Sequence, residues 1–227
     1  MSPKQKREFV YLILSGIFIT NALLGELLGG KLVQVGPATF SLGVISWPIV
    51  FIITDLINEY FGKDGVRRLT FFTVGLILYT FAIITIGMNI PAASFSPVSD
   101  ENFNNVFGQS SWIILGSICA FLISQLVDVL VFWMVHSRTK GRFLWLRATG
   151  STAVSQLIDT FVVLGIAFYL PGVLGFVKSG QTAMSFEQYL QTSSSNYGYK
   201  LFIAIVLTPL IYAGHGIIEK ALAKEPH

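Results

Sequence analysis

Charge is scarce in this 227-residue sequence: Asp, Glu, Lys and Arg make up 12% of it, against about a quarter in a soluble domain. So few charges cannot cover a folded surface in water. Cysteine is nearly absent as well. The sole one, Cys119, lies in an apolar run, which excludes an intrachain disulfide and a cysteine metal cluster. No GxxxxGKS/T loop, HExxH or GxSxG is present, so neither ATP hydrolysis nor the familiar intramembrane hydrolase chemistries are encoded, and no cofactor or metal is expected. The net charge of +3 comes from short basic clusters between apolar runs rather than from one basic face, so nucleic acid is not an expected partner.

What fills the sequence instead is hydrocarbon. Apolar residues are 53% of the chain and mean hydropathy is +0.67. Apolar runs of roughly the 17 to 25 residues that cross a bilayer recur from end to end. The expected fold is an all-α membrane protein, a bundle of six transmembrane helices forming a single domain over residues 1–227. Spans are expected near 9–28, 41–61, 69–89, 112–135, 150–170 and 200–221. Phe9 to Leu28 is too long for a signal-peptide core of about 7 to 15 residues and has no small-x-small site after a shorter core, so a retained first helix is expected.

Lys and Arg near the ends of short loops stay cytoplasmic, which orients the bundle. With six spans, Lys4, Lys6, Arg7, Lys63, Arg67, Arg68, Arg138, Lys140, Arg142, Arg147, Lys220 and Lys224 share one side. Only Lys31, Lys178 and Lys200 fall opposite. Both termini are therefore expected in the cytoplasm. In the outer loops, Ser99-Asp100-Glu101-Asn102 reads as a helix start and Ser185-Phe186-Glu187-Gln188 as a capping box, each predicting a short interfacial helix. Trp47, Trp112, Trp145, Tyr169 and Tyr199 fall near predicted boundaries, as an interfacial belt requires.

The informative residues are those that hydrocarbon penalises. A mid-helix Asp costs about 2.5 to 3.5 kcal/mol on the insertion scale, so such residues face a cavity or a partner. Asp55 shares a helical face with Asn58 and Glu59. Ser124-Gln125-Leu126-Val127-Asp128 and Ser155-Gln156-Leu157-Ile158-Asp159 repeat one pattern in two spans of opposite direction, an inverted internal repeat of the kind transporters use. From the expected span ends, Asp55, Asp128 and Asp159 lie roughly 9 to 14 Å deep at 1.5 Å per residue, close enough in depth to meet in one plane. The expected substrate site is Asp55, Asn58, Gln125, Asp128, Gln156 and Asp159, with Phe51, Phe121 or Phe132 available for stacking. Pro48 and Pro209 are candidate kinks, and His215 a candidate proton relay or a merely satisfied histidine. Gly25 and Gly29 form a GxxxG that signals close packing.

Ile53-Thr54-Asp55-Leu56 with Phe61-Gly62, Gln125-Leu126-Val127-Asp128-Val129 with Phe132, Leu144-Trp145-Leu146-Arg147 with Ser151-Thr152, and Asp159-Thr160 with Ala167-Phe168 together resemble the queuosine precursor transporter family. The resemblance covers roughly residues 40 to 170 in order. One departure is Ser110-Ser111-Trp112, where many members of that family carry an Arg, so a contact made by that Arg is not expected here. The resemblance implies import of 7-cyano- or 7-aminomethyl-7-deazaguanine through the cytoplasmic (inner) membrane. The resemblance thus implies this small-molecule base as partner, while the apolar runs make the lipid bilayer another and the small-residue seams predict a homodimer. Three other roles stay open at this point: a substrate-binding subunit served by a separate ATPase module, a membrane enzyme, and an assembly factor.

Overall fold

The computed structural model describes residues 2–36, 38–108, 111–139, 144–176 and 184–223. Ser110, Lys140, Arg142, Lys178 and Lys224, named above, lie outside the described residues, as do the side chains of Ser111, Trp112, residues 144–149, Thr152 and Lys220. The long elements are helices: α1 (Pro3–Gly29), α2 (Trp47–Met88), α3 (Asp100–Phe107), α4 (Ser111–Thr139), α5 (Leu144–Leu164) and α7 (Phe186–Ala223). A π-helical turn, Gly165–Tyr169, joins α5 to the short α6 (Leu170–Val173). Among the described residues four helical stretches are long and apolar enough to cross a membrane: Pro3–Gly29, Trp47–Met88, Ile113–Thr139 and Ala153–Val173.

The surface is inverted relative to a soluble protein. Leu12, Phe72, Leu130 and Ile217 are each more than 60% exposed, on four different helices, whereas Asn58, Asp128 and Ser155 are wholly buried. Contiguous apolar surface on this scale needs lipid to cover it. The chain is a multi-pass membrane protein. Its apolar core joins α1 and α2, with Phe18, Val50, Ile57 and Ile77 fully buried there, and Phe121 and Ile211 reach it from α4 and α7.

At 42 residues α2 would be about 63 Å long if straight, twice the roughly 30 Å of hydrocarbon. It is not straight. Gly62 has φ 72° and ψ −177°, a combination open essentially to glycine alone. Beyond it the chain turns back: a Cβ placed on Gly65 would lie 3.5 Å from Ile57 Cγ2, although eight residues of straight helix span about 12 Å. Tyr11 Oη donates to the Gly65 carbonyl at 2.8 Å and Arg7 Nη2 to the Tyr60 carbonyl at 2.9 Å, so α1 clamps both sides of the turn. Gly62→Ala adds a methyl that meets no atom within 4 Å, so its cost is backbone strain alone. The variant is expected to lose about 1–3 kcal/mol of stability, measured by thermal denaturation in detergent.

Three expectations need correction. The stretch before α2, read as a loop, folds as an antiparallel hairpin, β1 (Leu32–Val35) with β2 (Ala38–Ser41), paired from Leu32↔Ser41 to Val35↔Ala38. Its turn uses Gly36 at φ 58°. Ser99 caps α3 as expected, accepting from the Asn102 amide. Ser185 and Gln188 form the predicted reciprocal box at 2.9 and 3.1 Å, but the helix they start is no short interfacial one; it continues for 38 residues as α7. Pro48 kinks nothing, because it sits in the first turn of α2, where its missing N–H has no acceptor to lose. Gly25 and Gly29 receive the 3-10 turn Leu42–Ile45 as well as a helix: a Cβ on Gly43 would lie 2.5 Å from the Gly25 carbonyl oxygen and 3.2 Å from Gly29 Cα, and a Cβ on Gly25 would lie 3.1 Å from the Trp47 ring at the start of α2. That seam is used within the chain.

Candidate functional site

The two copies of the Ser-Gln-Leu-aliphatic-Asp pattern face one another. Ser124 Oγ of α4 donates to Asp159 Oδ1 of α5 at 3.4 Å, and Ser155 Oγ of α5 donates to Asp128 Oδ1 of α4 at 3.0 Å. Each serine thus serves the acid of the other copy. The helices run antiparallel in one register, since residue numbers in both pairs add to the same value. Gly116, which would meet Ala167 N at 3.1 Å if it carried a Cβ, holds that register toward the far end of the hairpin. Only glycine lets the backbones come so close.

All six expected site residues are buried, none more than 3% exposed. Thr54 Oγ1, bonded to the Val50 carbonyl at 2.9 Å, also donates to Gln125 Oε1 at 3.3 Å and brings the first half of α2 to α4 at this level. Asp55 and Asn58 follow on the same helix. Asn58 Nδ2 and Oδ1, Gln125 Nε2, Gln156 Nε2 and Oε1, and Asp128 Oδ2 make no hydrogen bond among the described residues. A buried amide left so costs about 1–3 kcal/mol, and each such group calls for an explanation.

The single plane of acids does not survive. Asp159 is level with Ser124, four residues and about 6 Å along the axis from Asp128. α4 continues to Thr139 and α5 begins at Leu144, so Asp128 and Asp159 stand about 16 and 22 Å along their helices from those ends. The acids occupy two layers.

The second layer opens into a cavity of about 60 Å³ whose wall includes Glu26, Trp47, Ser117, Asp159, Asn196 and Lys200. Of the six expected residues only Asp159 lines it. Lys200 Nζ donates to Asp159 Oδ2 at 2.7 Å, an ion pair whose side chains are 7% and 5% exposed. Lys200 is therefore no outer-loop lysine, as the charge pattern suggested, but an interior residue of α7. Ser117 donates to Glu26 Oε2, and Glu26 is 4% exposed. Asn196 accepts from the Ser41 amide at 3.2 Å and donates to the Thr39 carbonyl at 2.9 Å, fixing the hairpin over the cavity. Ser41 Oγ in turn donates to the Gly29 carbonyl at 2.8 Å.

Trp47, expected in an interfacial belt, is packed on Phe121 at 5.5 Å and Phe51 at 6.5 Å between ring centres, so these aromatics face one another inside the bundle. Phe132, the third stacking candidate, lies 6.0 Å from Trp133. His215 is held by the Tyr60 hydroxyl, which contacts Nδ1 and donates to the His215 carbonyl at 3.0 Å; the satisfied-histidine reading fits. One signal for the missed residues was present in the sequence. Thr192, Asn196 and Lys200 recur every four residues, with Ser193 beside them, and all four are buried on one face of α7.

Comparison with known proteins decides the family. A family model described as "Putative vitamin uptake transporter" matches residues 41–214. A Bacillus subtilis protein named "Probable queuosine precursor transporter" is 30% identical over 189 residues, which cover 83% of this chain and 77% of that one. This chain belongs to the queuosine precursor transporter family. An Escherichia coli relative named "Queuosine precursor transporter" is 26% identical over 80% of this chain and 74% of its own length. A Haemophilus influenzae relative named "Probable queuosine precursor transporter" is 27% identical over 73% and 63%. No solved structure matches the chain. The family match spans α2, α4, α5 and much of α7, the elements that carry Asp55, Asp128, Asp159 and Lys200.

Proposed function

We propose that this chain is a secondary transporter that imports 7-cyano- or 7-aminomethyl-7-deazaguanine across the cytoplasmic membrane, as a single unit over residues 1–227 with six spans and cytoplasmic termini. The names of its relatives supply the substrate class. The reversal at Gly62 supports counting α2 as two spans. Reciprocal Ser124–Asp159 and Ser155–Asp128 bonds support an inverted repeat with its site at the repeat interface.

One observation carries the reading: Asn58, Gln125, Gln156 and Asp128 are buried with polar atoms that no described residue satisfies. A planar base with adjacent N–H donors and a carbonyl is the complement such a set lacks. A carboxylate accepts two N–H groups side by side, while amides answer the carbonyl and ring nitrogens. Asp55, Asn58, Gln125, Asp128, Gln156 and Asp159 are the residues assigned to it. The role is binding and passage, not catalysis.

Uptake of labelled 7-cyano-7-deazaguanine by liposomes holding the purified chain alone tests this. Saturable uptake is expected. Uptake that needs an added ATPase partner would make the chain a binding subunit instead.

A further inference from the structure

The cavity beneath the hairpin shares Asp159 with the base site and adds two charged groups, Glu26 and Lys200, that the base site does not use. Its wall holds two carboxylates, Glu26 from α1 and Asp159 from α5, and one ammonium, Lys200 from α7. Whichever carboxylate Lys200 favours, the formal charge of these three groups is −1. Each is over 90% buried. An excess charge is costly in such surroundings, and intramembrane acids of this kind mark ion and proton pathways. Thr160 Oγ1 also lines the cavity, is 1% exposed and makes no hydrogen bond among the described residues, so the polar lining is incomplete without a guest. Among the described residues the other elements lining the cavity bring no further charge: α2 gives Trp47, α4 gives Ile113, Ser117 and Ala120, the hairpin gives Ser41 and the 3-10 turn gives Val44. Asp128 lies one layer away along α4, and Tyr189 Oη donates to the Phe161 carbonyl at 3.0 Å beside the cavity residue Thr160.

We propose that Glu26 is the proton-coupling site of the transporter, taking up one proton in this cavity and releasing it in step with movement of the base. The proposal rests on the transport reading above. With a proton on Glu26 and Lys200 on Asp159, the cavity is neutral. When Glu26 gives up its proton, its carboxylate competes with Asp159 for the single ammonium. Asp159 is also bonded to Ser124, so its release from Lys200 acts directly on the α4–α5 interface that holds the base site. A proton at Glu26 is thereby felt one layer deeper.

Liposomes containing the purified full chain separate coupling from transport. With one proton per base, an imposed gradient of about one pH unit, alkaline inside, is expected to support about tenfold accumulation of 7-cyano-7-deazaguanine. Glu26→Gln is expected to keep exchange of labelled for unlabelled base, which shows that it folds and carries, yet to lose accumulation. Direct measurement of protons exchanged on adding the base in detergent should give a substoichiometric to unit signal in wild type and none in Glu26→Gln. Accumulation by Glu26→Gln at the wild-type level overturns the proposal, as does accumulation driven by sodium and indifferent to pH. Exchange in wild type without response to a pH gradient removes the coupling site alone; no exchange at all removes the transport reading with it.

Discussion

Asp128→Asn is expected to raise the concentration of 7-deazaguanine base needed for half-maximal uptake by roughly tenfold to a hundredfold. The estimate takes one charge-assisted hydrogen bond at about 1.5–3 kcal/mol and a tenfold change per 1.4 kcal/mol. Asparagine keeps the shape and still accepts from Ser155 Oγ, so the α4–α5 hairpin should stand and thermal stability should change little. What is lost is the anionic edge at Oδ2, the atom that no described residue satisfies. Uptake within about twofold of wild type, a difference of under half a kcal/mol, would remove Asp128 from the site.

Lys200→Met should act on the fold rather than on recognition. Removing one partner of a buried ion pair leaves the other charge stranded and costs about 3–5 kcal/mol, because the Asp159 carboxylate has no bulk water to recover. Adding Asp159→Asn to Lys200→Met removes the stranded charge and is expected to restore most of the loss, a non-additivity that independent sites do not show. Denaturation in detergent of the two single variants and the double variant measures it. A Lys200→Met protein as stable as wild type would mean that the pair contributes nothing.

The bundle was legible in the sequence because lipid imposes a simple rule: long apolar runs become helices, and Asp55, Asp128 and Asp159 inside them turn inward, where all three are found. The Ser-Gln-Leu-aliphatic-Asp pattern was legible too, but not its meaning. Sequence order shows two copies; only antiparallel packing shows that each serine bonds the other copy's acid. The start of α7 was legible from its capping box, but its run into the last span was obscured because Thr192, Ser193, Asn196 and Lys200 are polar. Polarity in a gap between apolar runs reads as a loop, whereas here it is a helical face turned toward a polar interior. The same ambiguity put Lys200 outside. Leu32–Val35 is too short and too weakly alternating to announce a strand, and its partner becomes defined only when Asn196 bonds β2 from across the molecule. The start of α5 was set too late, at residue 150 instead of Leu144, because Arg147 and Gly150 interrupt the apolar run without ending the helix.

A structure of the chain determined with 7-cyano-7-deazaguanine at saturating concentration would show whether the buried acids and amides hold the base. The prediction is planar density between α2, α4 and α5, with a carboxylate oxygen of Asp128 or Asp159 and an amide of Gln125, Gln156 or Asn58 each about 3 Å from the base. Base bound elsewhere, with Asp128 still engaged by Ser155 and Ser151 and Asp159 by Ser124 and Lys200, would contradict it.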